Sequence, residues 1–345
     1  MNKGSFESPV SIRVSLAAGI TLGLVNGRFY RDAKLYCVNL LITYNKGCTA
    51  NCSYCGLSKI RPGKYQQKSF IRVSWPVFPT SLVVQKIKEK ESEIKRVCIS
   101  MITRRESVKD TIYIAERIRE VSDVPISLLI SPTVVIEKDF LKFLNAGADK
   151  IGIAIDAATP ALFEKHRGKG VNGPHRWERY WKCFETALKY FGKGNVGSHF
   201  IVGLGEKEIE IIEAIQKIKD MGGETHLFSF FPEPYSLLEN HPRPPLSVYR
   251  RVQLARYLID EGISRMDKMK FDEKGRVVDF GVDVTPYVNS GRPFMTSGCK
   301  GRDGEVACNR PYANEKPSEE PRNFPFPPSR EEIERIKGEL WDYTM

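Results

Sequence analysis

Three cysteines in one short loop are the residues of this chain whose types and spacing point most directly to chemistry. Cys48, Cys52 and Cys55 lie four and then three residues apart, directly after an apolar, β-rich run at 36–44. Such a loop can wrap three thiolates around one inorganic cluster, but no fourth cysteine follows in it. A closed [4Fe–4S] cube takes four cysteines. One iron would therefore stay open for a small molecule, as catalytic metal sites leave one position unfilled.

Zinc is the alternative explanation of this loop. Structural zinc sites favour Cys-x-x-Cys pairs and a closed set of four ligands. Because the loop offers three cysteines in unequal steps, its spacing favours an iron–sulfur cluster.

The loop resembles the cluster loop of the radical S-adenosylmethionine (radical SAM) enzymes. These enzymes carry Cys-x-x-x-Cys-x-x-Cys with an aromatic residue before the last cysteine, and Tyr54 fills that aromatic position here. The resemblance implies that the open iron chelates the amino and carboxylate groups of SAM. It also implies that an electron from the cluster cleaves SAM to methionine and a 5′-deoxyadenosyl radical. The implied cofactor is a [4Fe–4S] cluster bound to SAM.

Two charged residues after the loop are candidates for SAM contact. Asp156 ends a predicted strand, where a carboxylate can accept ribose hydroxyls as it does in dinucleotide folds. Arg167 could bind a carboxylate through its planar fork. Their spacing resembles a Leu-Asp…Arg segment of biotin synthase, with Ile155 in place of the leucine. The alternative role of Asp156 is to cap the helix predicted at Pro160.

A third segment, 199–206, resembles the Gly-x-Ile-x-Gly-x-x-Glu segment of radical SAM enzymes, whose backbone lies along the adenine. Ile201, Gly203 and Glu206 match it, whereas His199 replaces the first glycine. Glycine lets a backbone approach a flat ring closely. Gly and Glu are also ordinary residues of a strand-to-helix junction. The segment supports SAM binding mainly in combination with the cysteine loop.

Five cysteines lie outside the loop. Cys183 falls in an aromatic-rich helix and is most simply a small core residue. Cys299 and Cys308 lie nine residues apart in a glycine-rich loop, where ligation explains them better than packing. A zinc site or a redox pair is the alternative. Together with Cys37 or Cys98 they could hold a second iron–sulfur cluster.

Cys98 lies where biotin synthase has a ligand to its second cluster, but the other two cysteines of that cluster have no counterpart. An ordinary biotin synthase is therefore disfavoured. The tail contains the stretches Cys308-Asn309-Arg310-Pro311-Tyr312, Asn314-Glu315-Lys316-Pro317 and Arg322-Asn323-Phe324-Pro325-Phe326. Together with the cysteine loop, these stretches resemble the two-protein lipoyl synthases of archaea and some bacteria, which are biotin-synthase-like radical SAM proteins.

This resemblance implies a function and a set of partners. A sacrificial second cluster would supply sulfur to an octanoyl chain on a lysine of a small acidic carrier protein or lipoyl domain. A sister radical SAM protein and an electron donor such as ferredoxin are further expected partners. The alternatives are another biotin-synthase-like radical SAM enzyme, or a non-catalytic iron–sulfur or zinc protein that binds nucleic acid.

Composition agrees with a basic enzyme acting on an acidic partner. The chain has 345 residues, a formal net charge of +11 and 41% hydrophobic residues, enough for a sizeable core. No Arg/Lys block is interleaved with aromatic residues, so nucleic acid is a weak candidate. Eight cysteines are too few for a disulfide scaffold, and a reducing cytoplasm is predicted. The apolar run Leu16 to Val25 is too short to span a bilayer.

The elements that must position these residues alternate between strand and helix, and the predicted helices include 8–25, Pro160–His166 and Trp177–Phe191. At least six such units can be counted, which predicts parallel pairing in a full or partial (β/α) barrel. Chemistry in such barrels lies at the carboxyl ends of the strands, and the cysteine loop follows the first one. The predicted division is a helical extension at 1–33, the radical SAM barrel at 34–285 and a cluster-binding tail with a helix at 286–345.

Overall fold

A computed structural model of the chain describes residues 6–70, 72–309 and 315–344. Arg310, Pro311, Tyr312 and Asn314 of the tail resemblance lie outside the described residues. The described part is mixed α/β, built on one large sheet and one small hairpin.

Strands of the large sheet form the frame of the molecule. Its order is β3-β1-β2-β4-β5-β6-β7-β8, where β1 is antiparallel to both neighbours and the strands from β2 to β8 in that order run parallel. The small hairpin pairs β9 with β10. The strands are β1 (Ser11–Val14), β2 (Cys37–Leu41), β3 (Val77–Pro79), β4 (Arg96–Ser100), β5 (Ile126–Ile130), β6 (Ala148–Asp156), β7 (Val196–Val202), β8 (Glu224–Ser229), β9 (Lys270–Phe271) and β10 (Val277–Asp279).

Helices follow the parallel strands and cover the sheet. Among the described helices, none is both long and apolar enough to cross a membrane. They are α1 (Leu16–Thr21), α2 (Thr80–Glu89), α3 (Glu106–Arg119), α4 (Lys138–Asn145), α5 (Pro160–His166), α6 (Trp177–Phe191), α7 (Glu208–Met221), α8 (Leu246–Asp260), α9 (Thr285–Ser290) and α10 (Arg330–Leu340).

The parallel strands confirm the predicted (β/α) barrel in its partial form. Every residue of β2 and β4 is buried, as expected when helices cover one face and a filled interior the other. The sheet order ends at β3 and β8, and the described residues show no pairing between these two strands. The barrel is therefore open along one side.

The predicted N-terminal helix is wrong in its first part, because residues 11–14 form the strand β1 instead. Ile12 and Val14 are β-branched and fully buried, which suits a strand that pairs on both sides. The Arg13 guanidinium is also buried and donates to the backbone carbonyls of Trp75 and Tyr65, at 2.7 and 3.2 Å. The helix α1 starts only after Ser15, whose hydroxyl caps it by accepting from the Ala18 amide at 3.1 Å.

The C-terminal tail crosses the amino ends of the parallel strands. Ser297 donates to the Thr225 carbonyl at 3.3 Å, at the start of β8. Arg96, the first residue of β4, donates to the Lys300 carbonyl at 2.9 Å. Arg96 also forms a bidentate ion pair with Asp149 at 2.5 and 2.8 Å. The tail thus closes the end of the barrel opposite the cysteine loop.

Candidate active site

The cysteine loop is held by segments that follow two other strands. The Thr49 amide donates to the Thr103 carbonyl, after β4, at 3.0 Å. The Asn51 side chain donates to the Val171 carbonyl at 2.8 Å, and the Ser53 amide donates to the His166 carbonyl at 2.9 Å, both after β6. Neighbouring loops on the carboxyl face of the sheet therefore fix the shape of this loop.

A tight turn at Gly47 starts the loop. Its φ is +66°, a left-handed value that residues with a Cβ rarely adopt. A Cβ added there would lie 2.7 Å from Cδ2 of Tyr65. Arg104 donates to the Gly47 carbonyl at 2.8 Å and fixes the turn from outside. Glycine is required at this position for both conformation and space.

The three loop cysteines line one cavity of about 170 Å³, here called the upper cavity. It lies at the carboxyl ends of the parallel strands, as the fold class predicts. Four of the predicted SAM-contacting residues line it as well: Tyr54, Asp156, Arg167 and Ile201.

The environment of the loop thiols fits an iron–sulfur cluster. The backbone amides of Ala50 and Leu57 donate to Sγ of Cys48 and Cys55, each at 3.4 Å. Burial raises the pKa of the Cys52 thiol to about 11. Thiols become ligands as thiolates, so cluster binding and deprotonation are coupled here. The Leu57 amide favours the charged form of Cys55.

Asp156 stands at the end of β6 in a left-handed conformation, with φ +65°. Its carboxylate accepts from the Tyr54 hydroxyl at 2.5 Å and lies 3.3 Å from the Arg167 guanidinium. Thr159, not Asp156, caps α5 by accepting from the Leu162 amide at 3.2 Å. The capping role considered for Asp156 is therefore wrong. A strained backbone that aims a carboxylate into a cavity is a frequent feature of functional sites.

Arg167 is largely occupied by protein partners. It donates to the carbonyls of Ala154 and Ile155 and, at 3.1 Å, to the Tyr180 hydroxyl. Its Nε is buried and has no hydrogen-bond partner in the described residues. The guanidinium thus fixes the end of β6.

Two predicted SAM contacts lie outside the lining of the upper cavity. Glu206 accepts from the backbone amides of Gly203 and Leu204, at 2.6 and 2.9 Å. Gly203 has φ +108° and packs against Pro244. In the described structure these residues shape the turn after β7, and their contact with SAM stays a prediction.

Several lining residues were not found from the sequence. His175 lies on the loop before α6, and its Nδ1 faces the hydroxyls of Thr133 and Tyr180, at 2.6 and 2.9 Å. Burial lowers the pKa of His175 to about 2, so its imidazole is neutral. Glu233, after β8, accepts from the Ser69 hydroxyl at 2.7 Å. No local motif marks these residues, because only the three-dimensional fold brings them to the cavity.

A second group of cysteines lies at the other end of the barrel interior. Cys37, Cys98 and Cys308 are buried in mutual contact, and Cys299 packs against them. The strands β2 and β4 supply the first two, and the tail supplies the others. Burial raises the pKa of Cys299 to about 11, while the nearby charges of Arg96 act in the opposite direction. The structure therefore brings together all four residues that were predicted for a second cluster.

This group borders a smaller cavity, here called the lower cavity, lined by Cys98, Cys299 and Cys308. Leu129 and His199 line both the upper and the lower cavity. The two sets of cysteines therefore lie at opposite ends of one barrel interior, with Leu129 and His199 between the two cavities.

No group of three or more His, Cys, Asp or Glu side chains in the described ranges has the geometry to hold a single metal ion.

Comparison with protein families identifies the superfamily of this chain. Residues 42–224, more than half of the sequence, match the model of the Radical SAM superfamily. The chain belongs to the radical SAM superfamily. The matched range starts at the end of β2 and reaches the start of β8, so it contains the cysteine loop, Asp156, Arg167 and the 199–206 segment.

Two solved structures of an [FeFe]-hydrogenase maturase share the fold, and that of a radical SAM methyltransferase is less similar. The [FeFe]-hydrogenase maturase HydG from Carboxydothermus hydrogenoformans is 15% identical, with TM-score 0.50 over 71% of this chain and 59% of its own. A second HydG structure is 13% identical, with TM-score 0.52 over 71% of this chain and 52% of its own. The radical SAM methyltransferase TsrM from Kitasatospora setae is 13% identical, with TM-score 0.41 over 80% of this chain and 49% of its own. A comparison with curated proteins gave no match.

The likeness to HydG shows the fold alone, since this chain spans little more than half the length of those proteins. Membership of the superfamily implies an enzyme that uses a [4Fe–4S] cluster with SAM. In this radical SAM protein the upper cavity, with its three cysteines and amide donors, has the residues that such a cofactor needs.

Replacing Asp156 by alanine is expected to weaken SAM binding about tenfold or more, because a hydrogen bond to a charged group contributes roughly 1.5–3 kcal/mol. Iron content should stay at the wild-type level, because Asp156 is not one of the side chains that would hold the cluster. SAM affinity is measured anaerobically by equilibrium dialysis. The matched control is Thr159→Ala, which removes the cap of α5 and should lower stability by about 1 kcal/mol without changing SAM affinity. Unchanged SAM affinity in the Asp156 variant would remove this carboxylate from the SAM site.

Proposed function

We propose that this radical SAM enzyme inserts sulfur at an unactivated C–H bond of an octanoyl chain carried by an acidic protein, as a component of lipoyl synthesis. Cys48, Cys52 and Cys55 hold the SAM cluster in this proposal. Cys37, Cys98, Cys299 and Cys308 hold a second cluster, which is consumed as the sulfur donor.

The observation that carries the proposal is the pair of cysteine groups at opposite ends of one interior. A radical generated at the upper site and a sulfur donor at the lower site can both reach a chain that lies between them. Leu129 and His199, which line both cavities, mark that place. Reacting atoms must approach to about 3–3.5 Å, so two reagents facing one chain are what sulfur insertion needs.

The upper cavity suits an acyl chain. Its deeper wall is formed by apolar side chains on the parallel strands or just after them, which exclude water from the reacting carbon. A thin chain on a lysine arm can enter while its carrier stays outside. These wall residues are Leu41, Met101, Ile102, Leu129, Ile130, Phe228 and Phe230.

The bound SAM cluster supplies the electron that cleaves SAM and so provides the hydrogen-abstracting radical. The protein residues bind and orient. Tyr54 holds the Asp156 carboxylate toward the cavity, and Arg167 holds the end of β6. Asp156 can then accept the ribose hydroxyls of SAM.

The proposed transfer balances in atoms and electrons. One hydrogen atom leaves the octanoyl carbon and is taken up by the radical derived from SAM. A cluster held by Cys37, Cys98, Cys299 and Cys308 would supply the sulfur for the new C–S bond and would accept the electron released when that bond forms. No further oxidant is needed for this bond.

Arginines at the mouth of the upper cavity support an acidic carrier. Phe231 lines that cavity, and the guanidinium carbons of Arg72 and Arg243 lie 4.0 and 3.8 Å from its ring centroid. Burial, together with neighbouring Arg243, lowers the pKa of Arg322 to about 10. Crowded positive charge at the rim would attract an acidic domain and orient its lysine arm. A sister radical SAM protein, an electron donor such as ferredoxin and a cytoplasmic location remain predictions.

An octanoyl-lysyl carrier domain is expected to gain sulfur when incubated anaerobically with the enzyme, SAM and a reductant, whereas free octanoate and dethiobiotin do not. Binding energy from the carrier positions the reacting carbon, and free octanoate lacks it. The readout is the mass of the product after one turnover.

The charge-reversed variant Arg243→Glu separates docking from chemistry. It should raise the KM for the carrier domain and leave SAM cleavage without carrier unchanged. High salt should likewise raise the KM of the wild-type enzyme for the carrier domain, because exposed charges are screened. Sulfur found in dethiobiotin but not in the octanoyl carrier would assign the enzyme to a biotin-type reaction instead.

A further inference from the structure

His226 is a buried imidazole with unsatisfied nitrogens. It lies on β8 with only 6% of its surface exposed, and neither Nδ1 nor Nε2 has a hydrogen-bond partner in the described residues. Most buried polar atoms have a partner, and an unpaired one costs about 1–3 kcal/mol. Two such atoms on one ring therefore require an explanation from the site around them.

The ring faces the lower cavity, which it lines together with Cys98, Cys299 and Cys308. The ring of His199 lies beside it, with the two ring centroids 5.7 Å apart. A side chain that lines one cavity with three thiols, and whose ring nitrogens lack a hydrogen-bond partner in the described residues, is placed to bind whatever those thiols hold.

A glycine on the neighbouring strand makes room for His226. Gly197 on β7 lines the lower cavity, and a Cβ added there would lie 3.0 Å from Nε2 of His226. Glycine inside a buried strand often marks a place where another group approaches closely. Gly197 thus lets the imidazole lie against β7 at the border of the lower cavity.

We propose that His226 donates a ring N–H to a sulfur of the second cluster and so raises its reduction potential. This assignment rests on the proposed second cluster. The four cysteines Cys37, Cys98, Cys299 and Cys308 complete the usual ligand set of a [4Fe–4S] cube, which leaves the imidazole for a sulfur. An imidazole carries at least one N–H in either protonation state. Hydrogen bonds to cluster sulfurs are among the factors that set potentials, and they stabilise the more negative, reduced form.

The test isolates the second cluster. A full-length chain with Cys48, Cys52 and Cys55 all changed to alanine is reconstituted anaerobically and titrated with reductant while its EPR signal is recorded. His226→Phe should shift the midpoint to more negative potential, because the donor is lost. His226→Gln, which keeps an N–H, should restore part of the shift. The matched control Thr225→Val changes the adjacent buried residue of β8, whose side chain points to the other face, and should cause no shift.

Pulsed EPR on protein with ¹⁵N-labelled histidine gives an independent signal. A weak nitrogen coupling is expected in the triple-alanine background and should vanish in His226→Phe. Equal potentials in all variants at equal iron content, or a strong coupling typical of direct coordination, would overturn the assignment. If wild-type protein binds only the iron of one cluster, the second cluster itself fails, and this assignment fails with it. Iron analysis thereby tells the two failures apart.

Discussion

Cys52→Ala should abolish SAM cleavage and remove the iron of one cluster. Cys52 is the middle ligand of the loop and is buried at the upper cavity, so no other side chain can replace its thiolate. Two thiolates cannot hold a cube that already has one open iron. Cleavage is measured as 5′-deoxyadenosine released after anaerobic reduction. It should fall to the level of a sample without enzyme.

Cys183→Ala is the matched control for that experiment. Cys183 lies in α6, and burial raises the pKa of its thiol to about 12, as expected of a packing residue. Its replacement should leave iron content and cleavage unchanged. Full cleavage in the Cys52 variant would contradict a three-cysteine SAM cluster.

The double variant Cys299→Ala and Cys308→Ala should lose iron but keep SAM cleavage. Iron should fall by about half, if two clusters of equal size are present. SAM cleavage should persist, because neither residue lines the upper cavity. Transfer of sulfur to the octanoyl carrier should stop. The measurements are iron per chain, 5′-deoxyadenosine and product mass on one sample.

Cys308 is buried, so its removal could also disturb packing. The serine pair, Cys299→Ser and Cys308→Ser, preserves volume and should behave in the same way. A thermal unfolding curve close to that of the wild type shows that the barrel is intact. Wild-type iron content in both double variants would exclude these residues as cluster ligands.

Local signals account for the parts of the fold that the sequence predicted well. The helices Pro160–His166 and Trp177–Phe191 have the predicted bounds, since Thr159 caps the first and Gly192 ends the second. Residues 11–14 were misassigned because β1 depends on two pairing partners that are distant in the sequence. Tertiary pairing decided that segment rather than its own apolar pattern.

The residues of the candidate site likewise divide into those that local sequence marks and those that only the fold brings together. The cysteine loop could be found because its ligands are contiguous, and Asp156 because strand ends converge in a barrel. His175, Glu233 and His226 could not be found, since each is an ordinary polar residue until the fold directs its side chain into a cavity. The sequence offered Cys37 and Cys98 as alternatives, and only the register of β2 with β4 places both beside the tail.

The tail that closes the amino end of the barrel has a consequence for biosynthesis. The residues of the upper cavity are all made before Cys299, so a growing chain can fold its SAM site while the tail is still in the ribosome. The lower group of cysteines is complete only when the tail brings Cys299 and Cys308 to Cys37 and Cys98. Folding can therefore follow an order, in which the three-cysteine loop forms first and the four-cysteine group is assembled last.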